Sequence, residues 1–185
     1  MVELCGKNIM KTAHSFIIAS LFGIFLCLSL LCCNKLFPDE KLTLPREDYL
    51  GNELRTDGYY YAFFSETNIT AVMFLYRNGI SISQGGYATR DLDEIEKRVI
   101  KDKFNSKVHW GVFVVNGNKI QHEKWVGSTG IGAVLNKGTG HIENDTTIHF
   151  TERYNSEYQK THAVDEIWHF KQFNNKPDST NNYIK

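Results

Sequence analysis

Cysteine is missing from most of this chain. The four cysteines are Cys5, Cys27, Cys32 and Cys33, so none follows residue 33 in a sequence of 185 residues. A body without cysteine has neither disulfide bonds nor a thiolate metal site, and its stability must come from a packed core. The roughly 150 residues that follow are enough for one such domain.

The chain also lacks an excess of either positive or negative residues. The chain carries 21 Lys and Arg against 21 Asp and Glu, for a formal net charge of zero. Proteins that bind nucleic acid carry a basic patch or stripe. We therefore expect no nucleic-acid partner.

Clusters of catalytic or metal-binding residues are also missing. Six of the 7 histidines follow residue 100, and no two of them stand at metal-ligand spacing within one element. Neighbouring strands could still bring histidines together, as His109 and His122 could approach across a hairpin. Glu152, Asp165 and Glu166 have no evident nucleophile or second carboxylate to work with. We therefore expect no metal, no cofactor, no catalytic residue and no enzyme activity.

One long uncharged run is present, from Phe16 to Leu31, and Lys7 and Lys11 precede it. A positive start followed by an apolar run is typical of an export signal. The run lies at the lower limit of the roughly 17 to 25 residues of a membrane-spanning helix. An uncleaved anchor and an ordinary secreted protein are the alternatives.

The end of this run, Leu30-Leu31-Cys32-Cys33, resembles the lipobox of bacterial lipoproteins. The resemblance implies a signal peptide over residues 1–32, with Met10 as the expected start, and a lipidated Cys33 carrying fatty acids such as palmitate. Residues 33–50 are then the lipidated cysteine and a polar tether. The expected location is the cell envelope, with a lipid anchor in the outer membrane facing the periplasm or the cell surface.

Residues 51–173 show the pattern of a β-domain. Arg55–Ser65 and Thr70–Arg77 are rich in aromatic and β-branched residues, which is typical of strands. Asn78-Gly79 predicts a two-residue hairpin loop, which places Met73 and Leu75 on one face with Ile80 and Ile82.

The rest of the domain continues as short strands with turn signals between them. Leu92, Ile95 and Val99 recur at helical spacing, which predicts one helix over residues 91–104, either packed on a sheet edge or lying as a lid over a barrel mouth. Residues 174–185 form a polar C-terminal tail. About eight strands in hairpin succession predict a mainly β fold, an antiparallel meander closed or partly open as a barrel.

The leader, the entry at Leu54–Tyr61, the hairpin at Phe74–Ile80 and the tail at Phe170–Asn181 together resemble small lipoproteins of Bacteroidota, a resemblance that implies no activity. The meander is also lipocalin-like, although lipocalins carry Gly-X-Trp where this chain has Gly58-Tyr59-Tyr60.

Two functions follow as expectations. One is a membrane-anchored lipoprotein that binds a small apolar or amphipathic ligand inside the barrel. The other is a structural or protein-interaction lipoprotein without a ligand, whose protein partner the sequence does not identify. For the first, the candidate ligand-binding residues are the aromatic side chains of Tyr59, Tyr61, Phe63, Phe74, Trp110 and Trp125.

Overall fold

Eight β-strands and one short helix account for most of the residues that the structure describes. The structure is a computed structural model and describes residues 40–129 and 132–185. The elements are β1 (Gly58–Phe64), β2 (Ile69–Leu75), β3 (Ile80–Tyr87), α1 (Leu92–Val99), a 3₁₀ turn (Lys107–His109), β4 (Trp110–Asn116), β5 (Lys119–Gly127), β6 (Ala133–Asn144), β7 (Thr147–Asn155) and β8 (Lys160–Gln172).

The strands form a closed barrel in sequence order. Each strand pairs antiparallel with the next, and β1 closes the sheet by pairing with β8, for example Tyr60 with Phe170. Closure pairs the two strands that would otherwise be open edges. The predicted mainly β, lipocalin-like meander of eight strands is confirmed, and the barrel is closed.

The β2–β3 hairpin differs from the prediction by one residue. Leu75 pairs with Ser81, and the N–H of Tyr76 donates to the carbonyl of Ile80 at 3.0 Å, so residues 77–79 form a three-residue loop. Gly79 takes the left-handed conformation, with φ of +75°, that ends such a loop. The predicted two-residue loop is therefore wrong, and Leu75 shares a face with Ser81 instead of Ile80 and Ile82.

Alternate side chains of the strands form two separate cores, as the period of two requires. The interior core lies inside the barrel and consists of Tyr49, Leu54, Tyr60, Ala62, Met73, Leu75, Phe113, Ile120, Ile142, Ile148, Phe150 and Trp168. The outer core lies on the other face of part of the wall and includes Tyr59, Val72, Phe74, Ile82, Trp110, Val112, Trp125 and Leu135.

The helix α1 packs on this outer core. The Asp91 side chain caps its start by accepting two backbone N–H groups at 2.9 and 3.3 Å. Ile95 and Val99 are buried against the barrel wall. The helix ends at Val99 instead of residue 104, because the chain turns there and Phe104 adopts a φ of +45°. The helix thus covers the outer wall of the barrel.

One end of the barrel, the end with the β2–β3, β4–β5 and β6–β7 loops, is closed by the segment before β1. The hydroxyl of Tyr49 accepts the N–H of Leu54 at 2.7 Å, and both side chains belong to the interior core. The Tyr60 hydroxyl donates to the carbonyl of Asp145 at 2.8 Å. We call this the closed end of the barrel.

The segment that enters the domain lies on the outside of β5. The buried carboxylate of Glu123 accepts the N–H and hydroxyl of Thr43 at 2.6 and 2.7 Å and the N–H of Leu44 at 2.8 Å. The indole N–H of Trp125 donates to the carbonyl of Glu40 at 2.6 Å. Within the expected tether of residues 33–50, the part from Glu40 onward therefore contacts the barrel.

The C-terminal tail, residues 174–185, also lies outside the sheet and contacts its outer face. The ammonium of Lys176 donates to the carbonyls of Thr56 and Leu75 at 2.7 and 2.6 Å. Ile184, next to the last residue, is buried in the outer core.

The predicted leader, residues 1–32 with the expected start at Met10, and the lipidation site Cys33 lie outside the described residues. Within residues 40–129 and 132–185, no helix has the length and apolar character needed to cross a membrane.

Candidate functional site

A pocket of about 330 Å³ opens inside the barrel at the end opposite the closed end. We call it the interior pocket. Apolar side chains of Phe64, Met73, Val126 and Trp168 form one part of its lining. The polar side chains of the lining are Ser83, His122, Lys124, Asn136, Arg153, His162 and Glu166.

The strand β5 supplies the centre of the polar lining. His122, Lys124 and Val126 alternate along it with Glu123 and Trp125, so the first three point inward while the other two contact the entering segment outside. The N-terminal half of β5 places Ile120 in the interior core, deeper in the barrel. One strand thus passes from the apolar core to the polar pocket.

Arg153 and Glu166 neutralise each other in the pocket wall. The guanidinium donates to the carboxylate twice, from Nε at 3.1 Å and from Nη2 at 2.5 Å, and the two side chains are 12% and 15% exposed. Trp168 Nε1 also donates to Glu166 at 3.2 Å, and the guanidinium lies over the ring of Phe150. A bidentate pair of this kind holds the arginine and glutamate side chains in one geometry.

His122 is fully buried at the base of the pocket. Its Nε2 lies 2.9 Å from the hydroxyl of Ser81. Burial, together with the positive charges of Arg153 and Lys124, holds the pKa of the His122 imidazole well below its usual range. The ring is therefore neutral at pH 7 and serves as a hydrogen-bonding group without charge.

Lys124 carries the one charge of the pocket that is not hydrogen-bonded to an opposite charge among the described residues, although the carboxylate of Glu166 is near enough to attract it. No side chain there hydrogen-bonds to its ammonium, since Glu166 is engaged by Arg153. Burial lowers the pKa of Lys124 to about 8, and the charge of Arg153 acts in the same direction. The ammonium is still mainly protonated at pH 7, so the pocket presents a positive charge.

One more polar atom of the pocket wall, the hydroxyl of Ser83, is buried without a hydrogen bond among the described residues. The side-chain oxygen of Gln84 is also unpaired there, but Gln84 pairs with Val72 and so points to the outer face of the sheet. An unpaired buried polar atom costs about 1–3 kcal/mol, so such atoms usually meet a ligand or a water molecule. Together with Lys124, the Ser83 hydroxyl gives the pocket polar groups next to the apolar side chains of Met73 and Trp168.

The six aromatic residues predicted to bind ligand lie away from the interior pocket. Tyr59, Phe74, Trp110 and Trp125 are buried in the outer core, and Tyr61 packs against it. Phe63 lies under the guanidinium of Arg90, 3.6 Å from the ring centroid. The structure therefore brings five of the six together, but in a core outside the barrel. Trp125 also borders a hollow of about 420 Å³ between the entering segment and the C-terminus, which we call the outer groove.

The pocket residues were missed because the faces of β4 and β5 could not be assigned from the sequence. Asn116 pairs with Lys119, so the loop between these strands has two residues, with Gly117 at a φ of +58°. With that register, His122 pairs with Phe113 and both point inward. The sequence signal for these residues is the alternation of Ile120, His122 and Lys124 along β5. The register of the β4–β5 hairpin is needed to tell that this set of side chains points inward.

The fold and the pocket define a structural class of protein: a closed eight-stranded antiparallel barrel with a small, partly polar pocket at one end. No protein-family model, curated protein or solved structure matches the chain.

Proposed function

We propose that this protein is a lipid-anchored protein of the cell envelope whose barrel binds a small amphipathic molecule with an acidic head group. The observation that supports this most is Lys124, a largely buried ammonium that no carboxylate among the described residues hydrogen-bonds, beside apolar side chains. A buried charge is costly unless it is paired. A carboxylate in the pocket would pair with it.

The rest of the pocket fits the two parts of such a ligand. The Ser83 hydroxyl can donate to the head group beside Lys124, while Phe64, Met73 and Trp168 offer an apolar surface to a short chain or ring. A volume of about 330 Å³ lies near the lower end of the range of about 300–1,000 Å³ for ligand pockets. The ligand is therefore small, closer to a medium-chain acid than to a phospholipid.

The role of Lys124 can be tested with octanoate and octanol, which share a chain length and differ in charge. Using the domain from Leu36 onward, calorimetric titration should show octanoate binding at least tenfold more tightly than octanol. Lys124→Met should weaken octanoate binding by about 10 to 100-fold, the effect of losing one charge-assisted hydrogen bond. Octanol binding should stay unchanged.

Lys119→Met is the matched control, because Lys119 is exposed at the start of the same strand. The same titration at several pH values checks the charge. With a pKa of about 8, Lys124 is protonated below pH 8 and loses its charge above it. Octanoate affinity should therefore fall above pH 8, by up to about tenfold per pH unit, and Lys124→Met should remove that dependence. Equal loss in both lysine variants would contradict the proposal.

The anchor rests on Cys33 and is tested separately. Cys33→Ala should abolish incorporation of an alkyne-labelled palmitate analogue in cells and leave the protein either unprocessed in the inner membrane or released, because stable anchoring needs acyl chains that each contribute about 0.8 kcal/mol per buried CH₂. Cys32→Ala is the control and should retain the label. Undiminished labelling of Cys33→Ala would show that lipid is not attached there.

A further inference from the structure

A second group of polar side chains lies on the outer surface of the barrel, away from the interior pocket. His141 on β6 stands directly opposite His149 on β7, and their ring centroids are 4.9 Å apart. Glu143 follows two residues after His141 on the same face. Its Oε1 lies 3.8 Å from His141 Nε2 and 3.5 Å from His149 Nδ1.

These three ligand atoms converge on one point. All lie within 4.8 Å of one another. Ligand atoms of a tetrahedral zinc ion with bonds of about 2.0–2.1 Å are about 3.3 Å apart, so small side-chain movements would bring the three atoms to that spacing. Two imidazoles and one carboxylate are a usual set of ligands for zinc and related divalent ions.

A fourth residue, Asp165 on β8, orients His149. Its Oδ1 lies 2.7 Å from His149 Nε2, on the side of the ring away from Glu143. With the Nε2 proton donated to Asp165, the Nδ1 atom of His149 is left without a proton and faces Glu143 and His141. Metal-binding histidines usually make this contact to a carboxylate through their second nitrogen.

We propose that His141, Glu143 and His149 bind a divalent transition-metal ion such as zinc, with Asp165 as a positioning residue. His141 and Glu143 are each 42% exposed in their side chains, and that of His149 is 22% exposed. An ion can therefore enter from solvent, and one coordination position stays open to water. The site is independent of the interior pocket, because its residues lie on the opposite face of the sheet from Phe150 and Arg153. It replaces the expectation from the sequence that no metal binds.

Cobalt titration tests the site, because Co²⁺ reports its coordination through its visible absorption. The experiment uses the full chain in detergent with its cysteines blocked by iodoacetamide, since Cys5, Cys27, Cys32 and Cys33 could themselves bind metal. We expect one equivalent of Co²⁺ to give tetrahedral absorption bands and Zn²⁺ to displace it. His141→Ala and His149→Ala should each abolish the bands.

Two further variants separate a metal site from a set of surface ion pairs. Asp165→Asn should weaken Co²⁺ binding by about 10 to 100-fold while leaving the shape of the bands unchanged, as expected for a residue that only positions a ligand. His169→Ala, an exposed histidine on the same strand, should have no effect. Circular dichroism checks that each variant folds. Absence of saturable binding, or binding unchanged in the His141→Ala/His149→Ala double variant, would overturn the proposal.

Discussion

Replacing Gly79 with alanine is expected to lower the free energy of unfolding by about 2–6 kcal/mol. Gly79 has a φ of +75°, and forcing a side chain into such a conformation costs about 1–3 kcal/mol. A Cβ there would also overlap the backbone carbonyl of Glu47, and overpacking of this kind costs a further 1–3 kcal/mol, approximately. Chemical denaturation of the domain measures the sum.

Gly117→Ala is the matched control for the backbone conformation alone. Gly117 also has a positive φ, of +58°, and lies in a hairpin loop, but no atom lies within 4 Å of a Cβ at that position. Gly117→Ala should therefore lose only the backbone term, about 1–3 kcal/mol, without the added cost of overlap. If both variants lose the same stability, Glu47 does not pack against the β2–β3 loop as the structure has it, and the segment before β1 is not held there.

Arg153→Met is expected to destabilise the domain by about 3 kcal/mol. Removing one partner of a buried ion pair typically costs about 3–5 kcal/mol, because the other charge is left without compensation. The lower end applies here, since both side chains keep some exposure and Glu166 can turn to Lys124. That new pair would neutralise the pocket, so octanoate binding should be lost as well.

The double variant Arg153→Met/Glu166→Met separates the two effects. Replacing both members of a buried pair by apolar side chains is often neutral in stability. The double variant should recover most of the lost stability and also bind octanoate, because Lys124 is again without a hydrogen-bonded carboxylate. A double variant that is as unstable as the single one, or that fails to bind octanoate, would show that Arg153 acts in another way.

The architecture could be predicted because its signals are local. Alternating and aromatic runs marked the strands, and glycine-containing turns such as Asn78-Gly79 marked the reversals. A succession of hairpins leaves few sheet topologies other than a meander. Pairing of the first and last strands then closes the meander into a barrel. The start of the helix was equally clear, since Asp91 caps it.

The candidate site could not be predicted, because it depends on which face of each strand is inside. A single extra loop residue at 77–79 moves Leu75 from the side of Ile82 to the side of Ser81. Aromatic residues were a poor guide to the interior, because the helix and both flanking segments cover a second core that includes Tyr59 and Trp125. Lys124 looked like any exposed strand lysine. Its burial follows only from the register.

The most direct test of the interior pocket uses its methionine. The chain has 3 methionines, and Met73 is the one within the domain, so methyl-labelled methionine gives a single domain signal in NMR spectra. Met73 lines the pocket and belongs to the interior core. Saturating octanoate should shift the Met73 methyl resonance and show nuclear Overhauser contacts from its own chain protons to that methyl group. Saturated octanoate binding that leaves the Met73 methyl unshifted and without such contacts would contradict a ligand site inside the barrel.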